Sequence, residues 1–149
     1  MRMRIKMAEQ RGASAIEFAM IFPLLVIIVF GIIECSILFY DKAMLTNASR
    51  EGARLGIVYR YNSSGPNHPD DGEIGVVVNQ YAQSHLINFD ATSVITTTIQ
   101  RTGDSSGDAL TVSVSYPYSF LVFSNLLSLF GAAAPNLITL NAVTIMRME

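Results

Sequence analysis

Tryptophan is absent, cysteine occurs once and histidine twice in 149 residues. With Cys35 alone no intrachain disulfide can form, and a lone cysteine inside an apolar run behaves as a small hydrophobe. Two histidines seventeen positions apart, His68 and His85, supply no paired metal-ligand motif, and neither a G-x-S-x-G turn nor a phosphate-binding loop occurs. This inventory argues against an enzyme and implies no cofactor. Basic residues are scarce beyond the first twelve positions. That opening segment carries Arg2, Arg4, Lys6 and Arg11 against Glu9, a net of +3, whereas the other 137 residues hold six basic and eleven acidic side chains. A net of −5 leaves no basic patch, so nucleic acid is not an expected partner.

Charge of either sign is missing from Phe18 to Ile33, sixteen residues bounded by Glu17 and Glu34. A helix rises about 1.5 Å per residue and a bilayer's hydrocarbon core needs roughly 20 apolar residues. With Ala13, Ala15 and Ile16 before it and Ile37 to Tyr40 after it, the run is long enough for one transmembrane helix over 13–40. Pro23 near its start costs one backbone hydrogen bond and a bend, which membrane helices tolerate. The mean hydropathy of the whole chain, +0.37, suits an anchored protein. Basic flanks stay inside, so residues 1–12 are expected in the cytoplasm and everything after Tyr40 outside. An ordinary secretory signal has a shorter apolar core and a small-residue cleavage site. A lipoprotein signal would need small residues before Cys35, where Glu34 stands.

A carboxylate inside an apolar helix either reaches for water at the headgroup boundary or has a partner, and Glu17 faces that choice. Its setting is a basic leader, Gly12, four residues, Glu17, then the apolar helix. This order resembles the type III signal of type IV pilins and pseudopilins. The resemblance implies that a prepilin peptidase cuts between Gly12 and Ala13, removing 1–12. A glycine lets a protease approach the backbone closely. It further implies that Glu17 pairs with the freed α-amino group of Ala13 in a neighbouring subunit and sets assembly register.

Beyond the span, Tyr40, Met44, Ala48, Gly52, Leu55 and Tyr59 recur every three or four residues, so the helix should continue through 41–61, to about Arg60, with this stripe as its packing face. Asp41, Lys42, Asn47, Arg50, Glu51 and Arg54 are assigned to the other faces, with Glu51 and Arg54 spaced to pair. Glu34 is read as interfacial, or as a partner for another subunit. The run LTNASREGARLG, Leu45–Gly56, is similar to the segment after the membrane helix in TadE-like proteins, pseudopilins of the tight-adherence (Tad, or Flp) pilus. Val112–Phe120 and Met146–Glu149 also look like that family.

Residues 62–149 read as an extracytoplasmic α+β domain. Asn62–Gly72 is a loop by its Gly, Pro and Asx content. His68, Asp70, Asp71 and Glu73 meet no known ligand spacing, so a solvated acidic loop and helix start is expected there, not a metal site. A helix follows from Glu73 to Ile87, with Ile74, Val77, Val78, Tyr81 and Leu86 on one face and His85 at the surface. Ser93–Arg101 is β-branched, Gly103–Asp108 is a turn, and Ala109–Tyr118 alternates Leu110, Val112, Val114 and Tyr116 with polar residues, predicting a hairpin. Asp104 and Asp108 are read as turn residues in preference to calcium ligands. Leu137–Met146 closes a three-stranded antiparallel sheet against the outer half of the long helix. Phe120–Ala134 is too short and polar for a second span; it is either a short helix packing on the sheet or an apolar surface for a partner or membrane.

The fold class expected is therefore α+β, pilin-like, with a long N-terminal membrane helix. The resemblance implies a minor pilin or pseudopilin for adherence or secretion, partnered by prepilin peptidase, other pilins, Tad inner-membrane assembly proteins and the lipid bilayer. Two alternatives stand beside it: a major filament-forming subunit, and a signal-anchored binding module or adhesin that never assembles.

Overall fold

One unbroken helix, α1, occupies Arg2–Gly56. In the computed structural model, residues 2–62, 65–88, 93–128, 131 and 137–148 are described. Pro23 lies inside α1 without ending it, because only the hydrogen bond to the carbonyl four residues earlier is lost. The helix also runs through the basic leader and stops at Gly56, with Ile57 N–H donating to Ala53 O at 3.1 Å. That is four residues short of the expected end. Then follow β1 (Arg60–Asn62), β2 (Gly65–Asn67), α2 (Asp71–His85), β3 (Thr96–Arg101), β4 (Ala109–Ser119), α3 (Phe123–Ser128) and β5 (Leu137–Arg147).

Within the stretch expected to be a loop, β2 instead pairs antiparallel with β1, Arg60 opposite Asn67. Both strands are three residues long, too short to show an alternating pattern. Helix α2 begins two residues earlier than expected because Asp70 caps it, its Oδ1 accepting Glu73 N–H at 2.7 Å. An Asp or Asn at this position supplies an acceptor for a helix donor that has no partner within the helix. Ile74, Val78 and Ala82 form its buried stripe.

The chain divides into two compact units. In the first, α1 as far as Cys35 is grouped with α3. In the second, Ser36 onward is grouped with α2 and the strands. The second unit's sheet is antiparallel with order β3-β4-β5. Strand β4 is central and alternates half-buried and buried residues without a break. Leu110, Val112, Val114, Tyr116 and Tyr118 point into a core completed by Leu45, Ala48 and Ala53 of α1, by α2, and by Leu140, Ala142 and Met148. The sheet thus packs against the outer part of the long helix, as the alternation predicted.

Proline in a central strand ordinarily removes a ladder bond. Here β3 begins at Thr96, opposite Ser115, so Pro117 lies beyond it and pairs only with Thr139 of β5. Ser93 Oγ donates to the Pro117 carbonyl at 3.1 Å. The β3–β4 turn is closed by Asp108, whose Oδ2 accepts Ser105 N–H at 2.9 Å, while Gly107 takes φ 94°. A left-handed position of this kind favours glycine.

The described part of Phe120–Ala134 does contain a short helix, α3; Phe120 packs against the core of the second unit, whereas α3 belongs to the first. Residues 129, 130 and 132–134 of that stretch lie outside the described residues.

Candidate functional site

The first unit carries the residues implicated in processing and assembly. Gly12 and Ala13 both lie within α1, and Ala13 is exposed. Glu17 follows four residues later, one helical turn on and so on the same face as Ala13; it too is exposed. The most apolar window within Ala13–Gly56 has a mean hydropathy of 2.8 and none of it is buried. Phe18, Met20, Ile21, Leu24 and Ile32 all stand open. A soluble helix would not leave such a surface in water, and one N-terminal apolar helix of this length is compatible with single-pass membrane anchoring.

Glu34, expected at the interface or paired with another subunit, finds its partners within the chain itself. It is buried, and its two carboxylate oxygens accept the N–H groups of Val122 (2.5 Å) and Phe123 (2.9 Å). These donors stand at the start of α3, where a helix has N–H groups without an internal partner. The ring of Phe123 lies over Gly31, where an added Cβ would sit 3.6 Å from it. Cys35 is exposed on the helix, as an unpaired thiol.

In the second unit the stripe on α1 is only partly the packing face expected. Ala48 and Gly52 are buried and Met44 and Leu55 are half-buried, but Tyr40 and Tyr59 are exposed. Tyr59 lies beyond the helix end. Leu45, Ser49 and Ala53 are buried as well, shifting the contact face by one residue. Gly52 is needed for close approach: a Cβ there would overlap Val78 Cγ2 and press on Ile74 Cγ2 at 3.3 Å. Ser49 Oγ and Thr144 Oγ1 share a hydrogen bond of 2.7 Å, and Lys42 Nζ donates to the Asn141 carbonyl, so polar groups also tie α1 to β5. Arg54 and Glu51 pair at 2.7 Å, as their spacing predicted.

Asp41, assigned from the sequence to a polar face, is fully buried. Its Oδ1 accepts Ile87 N–H at 3.0 Å, and among the described residues its Oδ2 has no partner. Burial pushes its pKa up, and the Ile87 hydrogen bond partly opposes that shift.

His68 is buried as well, contrary to a solvated loop, and its ring lies tilted against Tyr59 with centroids 4.0 Å apart. It borders a groove of about 600 Å³ shared with Asp71, Arg101 and Asp104. Arg101 is already engaged there, by Asp71 at 2.9 Å, Asp104 at 3.6 Å and the Pro69 carbonyl at 2.6 Å. Among the described residues no group of three or more His, Cys, Asp or Glu side chains is placed to hold a metal ion. His85 is exposed and stacks on Tyr81.

Glu34 and Asp41, the buried carboxylates among the described residues, both lie on α1, and that helix is also where a match to a family model falls. Residues 12–54 match the family model for TadE-like protein. The TadE-like segment opens at Gly12, contains Glu17 and Glu34, and ends at Arg54. It takes in nearly all of Leu45–Gly56, where a likeness was read from the sequence, while Val112–Phe120 and Met146–Glu149 lie outside it. No match is found among curated proteins or among solved structures. The TadE-like match supports a component associated with a Tad pilus.

Proposed function

We propose that this chain is a TadE-like minor pilin or pseudopilin, anchored by 13–40 and structural rather than enzymatic. The observation that carries the reading is the TadE-like match beginning at Gly12, laid along a helix whose apolar surface is open over the span. On this reading the first twelve residues stay in the cytoplasm and the domain over 62–149 is outside the inner membrane. Prepilin peptidase cuts after Gly12. Cleavage requires a local unwinding of α1, and glycine eases that by about 1 kcal/mol relative to alanine. The new amino group at Ala13 then meets Glu17 of a neighbouring subunit. Two opposite charges attract more strongly away from water, but desolvation offsets much of the gain. The pair therefore contributes register more than affinity. Other pilins and Tad inner-membrane assembly proteins are the partners.

The N-terminus of the protein recovered from membranes tests this, in cells with and without their prepilin peptidase. The expected result is a start at Ala13 that depends on the peptidase. An intact Met1 start in both strains would overturn the pilin reading and leave an anchored extracytoplasmic module.

A further inference from the structure

The clasp between Glu34 and the start of α3 is unexplained by filament assembly. Along α1, Glu17 and Glu34 are seventeen residues apart, or about 26 Å at 1.5 Å per residue. That is close to the ~30 Å hydrocarbon thickness of a bilayer, so the two carboxylates bracket the core of the span. If Glu17 lies at the inner boundary, Glu34 lies at the outer one, and α3 is held there with it.

We infer that Leu121–Ser128 is a second membrane contact, an interfacial segment clasped by Glu34 and resting in the outer leaflet. Three observations support lipid as its occupant. First, the polar groups are mutually satisfied. At the hydrocarbon boundary a carboxylate needs donors and free backbone N–H groups need acceptors. The Glu34 oxygens and the N–H groups of Val122 and Phe123 meet both needs at once. Second, charge is absent: no Asp, Glu, Lys or Arg occurs from Ala109 to Met146, while Leu121, Val122, Phe123, Leu126 and Leu127 make the segment apolar. Third, Leu121 is half exposed, and the hydrogen bonds to Glu34 and the contact of Phe123 with Gly31 hold this segment next to the turn of α1 that carries the exposed Ile32 and Ile33. The inference rests on the anchoring part of the proposed function.

The absence of tryptophan gives a clean probe. The full chain, carrying Leu121→Trp, is reconstituted into phosphatidylcholine–phosphatidylglycerol vesicles with or without lipids brominated at both shallow and deep positions of their acyl chains. Leu25→Trp reports the span and Val76→Trp, on the exposed side of α2, reports the aqueous domain. An interfacial segment lies about 5–10 Å deep, so the Leu121→Trp emission should be blue-shifted and lose more than about half its intensity to the brominated lipid. Val76→Trp should be unaffected. Quenching of Leu121→Trp no greater than that of Val76→Trp, with Leu25→Trp quenched, would overturn the inference while leaving the anchor intact. A blue-shifted but unquenched emission would also overturn it, by showing that a second copy covers the segment. Loss of quenching at Leu25→Trp as well would mean that the anchoring reading fails and the inference falls with it. Adding Glu34→Ala should bring Leu121→Trp quenching down toward that of Val76→Trp. Undiminished quenching would refute the role given to Glu34.

Discussion

Asp41 and Glu34 show how a carboxylate changes meaning once its neighbours are known. Both stand on α1, at positions where a polar side chain next to a membrane boundary would be expected to reach water. Instead Glu34 accepts two N–H groups from residues 88 and 89 positions away, and Asp41 accepts one from 46 positions away. Asp41 also leaves one oxygen buried without a partner among the described residues, which is a costly arrangement for an ionised group. Burial holds its folded pKa above the ordinary 3.8. A carboxyl shifted in this direction binds its proton more tightly when folded. Its contribution to stability is thus fully present below the unfolded value and is lost as pH rises through the folded one. Asp41→Asn keeps an oxygen for Ile87 and removes the titration. Thermal unfolding of the full chain in detergent micelles should then fall less from pH 4 upward than in the parent, leaving the Asn protein the more stable of the two near neutrality. Parallel pH profiles would show that Asp41 is not desolvated in solution.

The elements differ in how far their neighbours along the chain specify them. Strand β4 was readable because an alternation of apolar and polar residues puts every second side chain on one face, and all of its predicted inward residues are buried. The start of α2 depends on one local hydrogen bond, from Glu73 N–H to Asp70, and a Ser/Thr/Asp/Asn signal of that kind is itself visible in sequence. The packing face of α1 was harder. Small residues at 48, 52, 53 and 56 are compatible with more than one face, and the choice falls to Ile74, Val78, Val112 and Leu110 across the interface. Two glycines separate propensity from packing. Gly75 of α2 has nothing within 4 Å of an added Cβ, so Gly75→Ala should stabilise by about 0.5–1 kcal/mol. Gly52→Ala improves helix propensity equally but collides with a stiff Val78, and should destabilise by about 1–3 kcal/mol. Denaturant titration of the full chain in micelles measures both, and a gain at both positions would mean that the α1–α2 contact is looser than the side chains indicate.

At the scale of the whole molecule, one helix serves two environments. Its inner part leaves its apolar side chains open, whereas its outer part is covered by α2 and the sheet. This division suits the anchored subunit proposed above: the domain supplies its own core, and the apolar surface of the open helix is free for lipid or for other subunits. Glu17 is the test position because it is exposed on that open part, far in sequence from the domain core. Glu17→Ala should leave peptidase processing and membrane insertion largely intact and abolish assembly, read by the N-terminus, membrane fractionation and the presence of surface filaments. Normal piliation in that strain would remove the register argument.

What the sequence alone determined was whatever depends on neighbours along the chain. The charge-free run of α1, the Gly12–Glu17 spacing, the alternation of β4 and the Glu51–Arg54 pair are all legible from residues close together in the chain. Only the tertiary structure decided which carboxylates are buried, that Glu34 of α1 accepts the N–H groups at the start of α3, that residues 60–62 pair with 65–67, and which side of α1 faces the core. Each of those depends on atoms brought together from dozens of residues away, and the free energy of burying a polar group is set by the partner it meets there, not by its own place in the sequence.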